Sequence, residues 1–181
     1  MTENRVELGG NLEVGRASRG DLESVWAIIK SDSDWLAEKG LDHWRKYYTR
    51  EKIAQKIGGS EVYLAYQNND LVGTVTLDTN PVEYYRPEEM NQFTDPDASG
   101  LYVTALAVLP DKQGQGIASE LMEFADSEAK KKGVKYVRFD CRAAYTDLVN
   151  FYKKRGYKVA GETVDEEDNN ELYLLMEKAL Q

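Results

Sequence analysis

The sequence holds a single cysteine, Cys141, and a single histidine, His43. One thiol cannot close an internal disulfide, and one imidazole cannot anchor a His-rich zinc site. Disulfide-framework and structural-zinc architectures are therefore excluded, and no metal is expected. Long apolar runs are also missing. No stretch approaches the ~18 residues of a membrane span, and the opening MTENRVELGGNLEVGRAS has no apolar run of signal-peptide length. This predicts a cytoplasmic protein with no membrane partner. Positive charge is in deficit, 23 Lys+Arg against 32 Asp+Glu, for a net charge of −9 and a pI near 4.8. A sequence-independent nucleic-acid binder needs a basic face to displace counterions, so no nucleic-acid partner is expected. An acidic surface suits a cationic substrate. Repeats and low-complexity linkers are absent as well, which predicts one domain over residues 1–181.

What remains is 41% hydrophobic and 30% charged, an ordinary globular balance. Residues 12–18 read as a strand. Asp21 is a candidate N-cap for a helix in which Leu22, Val25, Trp26 and Ile29 form one stripe. Residues 31–49 are aromatic but irregular, with Gly40 as a break. Thr49 can cap a helix carrying Ile53 and Ile57 and ending at Gly58-Gly59. Residues 61–67 and 71–79 alternate around the turn Asn68-Asn69-Asp70 and predict a hairpin. Residues 80–100 contain three of the four prolines and no periodicity, the mark of a long functional loop. A strand over 101–109 follows, then a glycine-containing loop and a helix over 117–132. Further on are a strand over 134–141, a helix from a Thr146 cap to Gly156, and strands over 157–164 and 171–180. With one β-α-β step over 101–141, the class is α/β (α+β): a mixed, mostly antiparallel sheet of about six to seven strands flanked by about four helices.

The segment Val108 to Ser119 carries the strongest chemical signal. A strand delivers the chain to Gly114 and Gly116, and a helix begins there. Unpaired N–H groups at a helix start, with the helix dipole behind them, suit a phosphate or pyrophosphate, and glycine lets the backbone approach it. A phosphate loop ending in Gly-Lys-Ser/Thr is absent. A dinucleotide fingerprint is broken by Ser119 and by the Pro110–Gln113 insertion. A tight strand–helix turn without a ligand is the plain alternative.

Here the sequence resembles the GNAT superfamily of N-acetyltransferases. Its signature Gln/Arg-x-x-Gly-x-Gly/Ala stands as Gln113-Gly-Gln-Gly116-Ile-Ala118. Leu106-Ala-Val-x-Pro110 precedes it, and Phe151-Tyr152-Lys-Lys-Arg-Gly156-Tyr157 follows in the expected order. The resemblance is firmest over residues 100–158. Segment DWLAEKG (34–40) and the later hairpin look like small-molecule members. The resemblance implies a twisted sheet that splays between the strands at 101–109 and 134–141, with acetyl-CoA in the gap and coenzyme A as product. It implies that Gly114, Gln115, Gly116, Ile117, Ala118 and Ser119, entered through Gln113, bind the pyrophosphate with backbone N–H groups. Leu106, Ala107 and Val108 would pair with the pantetheine arm like an added strand. Lys112, Lys153 and Lys154 are candidates for the remaining phosphate. Many members carry asparagine seven residues before the tyrosine, on the cofactor arm; here that position is Tyr145. Dimers are common in the superfamily, so a homodimer is a candidate assembly.

Acetyl transfer to an amine needs a proton acceptor, since alkyl amines titrate near 10.4. Asp140 occupies the place of a glutamate base in ribosomal-protein acetyltransferases of the superfamily. Its alternative is a strand-end aspartate bonded to backbone or Arg142. Glu83 and Asp78 are alternates for the base. Tyr152 matches the family's tyrosine acid, and its alternative is a packed helix-face ring. The N–H of Ala107 or Val108 would meet the oxyanion if the strand bulges there. Cys141 is expected to be a small buried residue. The acceptor pocket is expected from Trp35, Trp44, Tyr47, Glu83, Tyr84 and Tyr85, beside the acidic run Glu162, Asp165, Glu166, Glu167, Asp168 and Glu171. That run is either a cation-attracting rim or a solvated hairpin loop. The reading is an acetyl-CoA-dependent transfer to a primary amine of a small molecule, by direct attack in a ternary complex. A peptide or protein acceptor, and a non-catalytic acetyl-CoA-binding module, are the alternatives.

Overall fold

The computed structural model describes residues 5–9, 11–166 and 168–180, so Glu167 of the acidic run lies outside the described residues. The chain divides into two compact units, Met1–Leu77 with Thr104–Phe124, and Asp78–Val103 with Ala125–Gln181.

The first unit begins with β1 (Val6–Glu7) and β2 (Leu12–Arg16), followed by α1 (Leu22–Glu38), α2 (His43–Tyr47) and α3 (Arg50–Gly59). The hairpin β3 (Glu61–Gln67) and β4 (Asp70–Asp78) comes next. Its turn residues Asn68 and Asn69 have φ of 52° and 68°, the left-handed conformation that asparagine tolerates in tight hairpins. The strand order is β1-β2-β3-β4, with antiparallel pairs throughout. Beside β4 runs β5 (Gly100–Val108), from which α5 (Ile117–Lys131) departs. Val25 and Ile29 of α1 and Ile53 of α3 pack with Tyr48 on Val62, Leu64 and Ala105, forming one core cluster.

α1 runs nine residues beyond Ile29, through a segment expected to be irregular. Ser31 to Asp34 are poor helix formers, but Asp32, Ser33 and Leu36 continue the buried stripe of Val25, Ile28 and Ile29. Packing of that stripe overrides the local preference. Asp21 holds the N-cap position of α1 as expected, but its side chain makes no capping bond to the helix. Its carboxylate accepts instead from the Ser18 N–H and hydroxyl (2.9 and 2.8 Å), closing a 3₁₀ turn ahead of the helix. Thr49 does cap α3, accepting from the Lys52 N–H at 3.2 Å.

The second unit contains β6 (Tyr136–Arg142), α6 (Thr146–Lys154), β7 (Lys158–Asp165) and β8 (Glu171–Ala179), in the order β5-β6-β8-β7. β5 and β6 pair in parallel over Gly100–Tyr102 and Tyr136–Arg138. β6 pairs antiparallel with β8 from Tyr136↔Ala179 to Arg142↔Tyr173. α6 starts at Thr146 with Tyr145 in the cap position and no side-chain cap, so Thr146 is the first helical residue and not its cap. Eight strands are described, against the six to seven expected; the two-residue β1 is the addition. The extra helices are α2 and the single turn α4 (Pro87–Met90), both too short for periodicity to reveal.

Residues 80–100 are irregular as expected but firmly held. Arg138 is completely buried, with its guanidinium 4.6 Å from the Phe93 ring and 4.7 Å from the Tyr136 ring. It donates to the Asp95 and Ala98 carbonyls at 2.6 and 3.2 Å. The Gln92 amide accepts from the Glu162 N–H and donates to its carbonyl, both at 2.9 Å, in the manner of a peptide group added to β7. A Cβ at Gly161 would overlap the Gln92 side chain, so glycine is required there.

Candidate active site

In the first unit, β5 leads through a 3₁₀ turn, Pro110–Lys112, into Gln113 and the two glycines. Gly114 and Gly116 have φ of 75° and 88°, and no atom lies within 4 Å of where a Cβ would stand on either. Both need the left-handed conformation, and both leave open space over the backbone. The first helical bonds of α5 run from the Ser119 and Glu120 N–H groups to the Gly116 carbonyl (2.9 and 3.1 Å). The N–H groups of Gly116, Ile117 and Ala118 thus have no carbonyl behind them in the helix. A 15-residue helix adds its dipole to this open start. The residues fit a pyrophosphate: bare backbone donors, positive helix end, no side chain in the way. Gln115 donates to the Asp111 carbonyl at 3.4 Å, which closes the turn beneath the loop.

Along β5 the backbone alternates. The Ala107 carbonyl would lie 2.9 Å from a Cβ on Gly73, so it faces β4, as does Leu109, whose N–H donates to Val72. The N–H groups of Leu106 and Val108 therefore point to the other edge, while the Val108 carbonyl accepts from Gln113 at 3.3 Å. The irregularity expected near Ala107 lies at Ala105, whose φ is 49° and whose N–H is taken by the buried Tyr48 hydroxyl at 3.1 Å. Of the two N–H groups named for an oxyanion, Val108 has the outward geometry. Trp35 belongs to α1 of this unit, and the Lys39 ammonium stands 4.5 Å over its ring. Trp44 and Tyr47 stack edge-on against Tyr48 at 4.9 Å each.

In the second unit, Asp140 is drawn into a tyrosine cluster. The hydroxyls of Tyr84 and Tyr85 both donate to Oδ1, at 2.9 and 2.6 Å, and their rings meet edge-on at 5.3 Å. Desolvation pushes the Asp140 carboxyl up from its ordinary range, and the two phenols pull it part of the way back. Burial and the Asp140 charge push the Tyr85 hydroxyl well above 10, so it stays a donor. Glu83, next to the pair, is exposed. Arg142 does not bond Asp140. It pairs instead with Glu171 at 2.7 Å and stands 3.8 Å from Asp168, tying down the hairpin turn. That use of Glu171 and Asp168, together with the Tyr173 hydroxyl on Asp168 (2.8 Å), gives part of the acidic run a structural role.

Tyr152 is buried in α6, its ring 4.4 Å from Phe139 and 5.1 Å from Phe151. Successive strand residues face opposite sides, so Phe139 and Asp140 put Tyr152 and the carboxylate on opposite faces of β6. Burial and the Asp140 charge push the buried Cys141 thiol up to about 12, far from a nucleophile. Tyr145 bonds through its backbone, from its N–H to Arg142 and from Val149 to its carbonyl, both at 3.1 Å. Among the described residues no His/Cys/Asp/Glu cluster could hold a metal, and no helix is long and apolar enough to cross a membrane.

Two features went unread in the sequence. The Tyr84–Tyr85–Asp140 contact joins positions 56 and 55 residues apart through an aperiodic loop, and no local signal marks it. Asp32 lies at helical spacing from Ile28 and Leu36, which could have marked it as a polar residue on a buried stripe.

Known proteins resemble this chain in sequence and in fold. Aminoalkylphosphonate N-acetyltransferase of Salmonella typhimurium is 26% identical over 148 residues, covering 81% of this chain and 84% of that protein. A GNAT-family acetyltransferase from Listeria monocytogenes superposes with a TM-score of 0.77 at 20% identity, over 98% of this chain and 100% of its own. The PaiA N-acetyltransferase of Thermoplasma acidophilum, solved in complex with coenzyme A, superposes with a TM-score of 0.68 at 21% identity, over 94% of this chain and 100% of its own. Residues 33–180 match the Acetyltransferase (GNAT) domain, and with the glycine loop at the start of α5 in place, the chain belongs to the GNAT acetyltransferases and is an N-acetyltransferase whose acetyl donor is acetyl-CoA.

Proposed function

We propose that the acceptor is the primary amine of a small molecule, attacked directly in a ternary complex, with Asp140 as the general base. One observation carries this reading: both tyrosine hydroxyls converge on Oδ1 of Asp140. Oδ2, the oxygen the two phenols do not take, is assigned the amine proton. The raised carboxyl pKa brings the base closer to the working pH, where proton transfer is most effective. Tyr84 is exposed beside the carboxylate and offers a ring face to an approaching ammonium group.

Acetyl-CoA supplies an activated thioester. The backbone of Gly114 to Ser119 would hold its pyrophosphate, and the outward N–H groups of Leu106 and Val108 would meet the arm. Tyr152, its ring fixed by Phe139, would give the departing thiolate its proton from the face of β6 opposite Asp140. The relative named for aminoalkylphosphonates supports a small acceptor.

The test is release of free coenzyme A from acetyl-CoA with a panel of polyamines, amino acids, aminoglycosides, aminoalkylphosphonates and short peptides. Turnover with a small amine, lost in Asp140→Asn, supports the reading. Turnover confined to peptides overturns the acceptor class, and full activity of Asp140→Asn overturns the base.

A further inference from the structure

We infer that Asp32 is a positioning residue for the cofactor loop: through Gln113 it fixes the chain where it enters Gly114-Gln115-Gly116. This rests on the reading of that loop as the pyrophosphate site. Asp32 is buried (7% exposed) on the stripe of α1 that otherwise carries Val25, Ile28, Ile29 and Leu36. Its Oδ1 accepts from Gln113 Nε2 at 3.0 Å, and the same amide donates to the Val108 carbonyl at 3.3 Å. One side chain thus ties α1 to the end of β5, directly before two glycines with positive φ.

Stability does not account for a carboxylate here. A buried acid with one hydrogen bond is costly, and a leucine, with the same branching though larger, would continue the apolar stripe. Burial pushes the Asp32 carboxyl up to about 7, in the direction that cost requires. The loop itself gives the carboxylate its use. Glycines restrict their own backbone least, so the N–H groups of a Gly-x-Gly loop converge only if the flanking residues are held. Gln113 is the flanking residue on the strand side, and Asp32 is the acceptor on α1 that holds its amide. Holding the loop in the unliganded protein reduces the ordering that binding would otherwise require.

The experiment measures acetyl-CoA affinity by titration calorimetry and melting temperature in parallel, on the full chain. The variants are Asp32→Leu, Asp32→Asn, Gln113→Leu and the double variant Asp32→Leu/Gln113→Leu. Asp32→Leu is expected to keep or raise the melting temperature while weakening acetyl-CoA binding roughly five- to tenfold. Gln113→Leu should weaken it by a similar factor, the double variant no further, and Asp32→Asn, whose amide oxygen still accepts, only slightly. Unchanged affinity in Asp32→Leu overturns the inference. So do losses that multiply in the double variant, or a fall in affinity that tracks a fall in melting temperature. Gly116→Asp separates the two levels. If it retains binding, the loop reading itself fails; if it loses binding while Asp32→Leu does not, only the role of Asp32 fails.

Discussion

Tyr85 donates its hydroxyl proton to Oδ1 of Asp140 over 2.6 Å, and Tyr84 donates to the same oxygen at 2.9 Å. Both bonds favour the ionised carboxylate against the desolvation that raises its pKa. Tyr85→Phe removes the shorter bond, so the carboxyl climbs further. A base must be ionised to accept a proton, so the acidic limb of the kcat/KM profile is expected to move to higher pH, with activity recovered on the alkaline side. A pH–rate series on wild type and Tyr85→Phe checks this. An unmoved limb would detach the tyrosines from catalysis.

Legibility followed the range of the interactions. The hairpin β3–β4 was readable because Asn68-Asn69 and the alternation of Val62, Leu64 and Tyr66 are local. The glycine loop was readable because Gly114 and Gly116 occupy conformations that other residues adopt only with strain. The second half of α1 was not, since Ser31 to Asp34 argue against a helix until Asp32 and Ser33 are seen on its buried stripe. Nor was the fixing of residues 80–100, which depends on Arg138 and on Gln92 reaching Glu162, 70 positions away. Long-range side-chain contacts leave no periodicity in a sequence.

Asp32 gives a second pH effect, on stability. Its carboxyl rises from the ordinary 3.8 to about 7, chiefly by burial. A raised folded-state pKa means that the protonated form stabilises the fold fully below pH 3.8, and that this contribution is lost as pH rises through about 7. No cation among the described residues relieves it: burial raises it, and the Gln113 bond alone opposes the rise. Asp32→Asn is therefore expected to gain on wild type by on the order of 4 kcal/mol between acid and neutral pH. Denaturant midpoints across that range measure the difference; parallel curves would contradict it.

Glu89 works in the opposite direction. The Arg86 guanidinium (2.6 Å) holds its carboxyl down at about 2, with help from the Thr163 hydroxyl. A depressed pKa stabilises above the ordinary 4.5, and the contribution is lost as pH falls toward 2. Glu89→Gln should flatten that acid limb. Since Glu89 helps fasten the loop that carries Tyr84 and Tyr85 to β7, the variant should also raise KM for the amine severalfold while leaving KM for acetyl-CoA unchanged. Steady-state kinetics with each substrate varied separately distinguishes this from general destabilisation, in which both constants would change.

Tyr152 separates turnover from packing. Its ring lies against Phe139, Phe151 and Tyr157, with centroids 4.4, 5.1 and 6.1 Å away, and phenylalanine would keep all three contacts. The hydroxyl is proposed to protonate the departing thiolate, a group with an ordinary pKa of about 8.5. Such a thiolate leaves at neutral pH with little help, so the acid should contribute less than a base acting on an amine. Tyr152→Phe is expected to lower kcat by roughly ten- to a hundredfold, the low end of general acid catalysis. Acetyl-CoA affinity and melting temperature should hardly move. If instead the variant melts early and its folded fraction turns over normally, the tyrosine is a core ring and the proton reaches the thiolate from water.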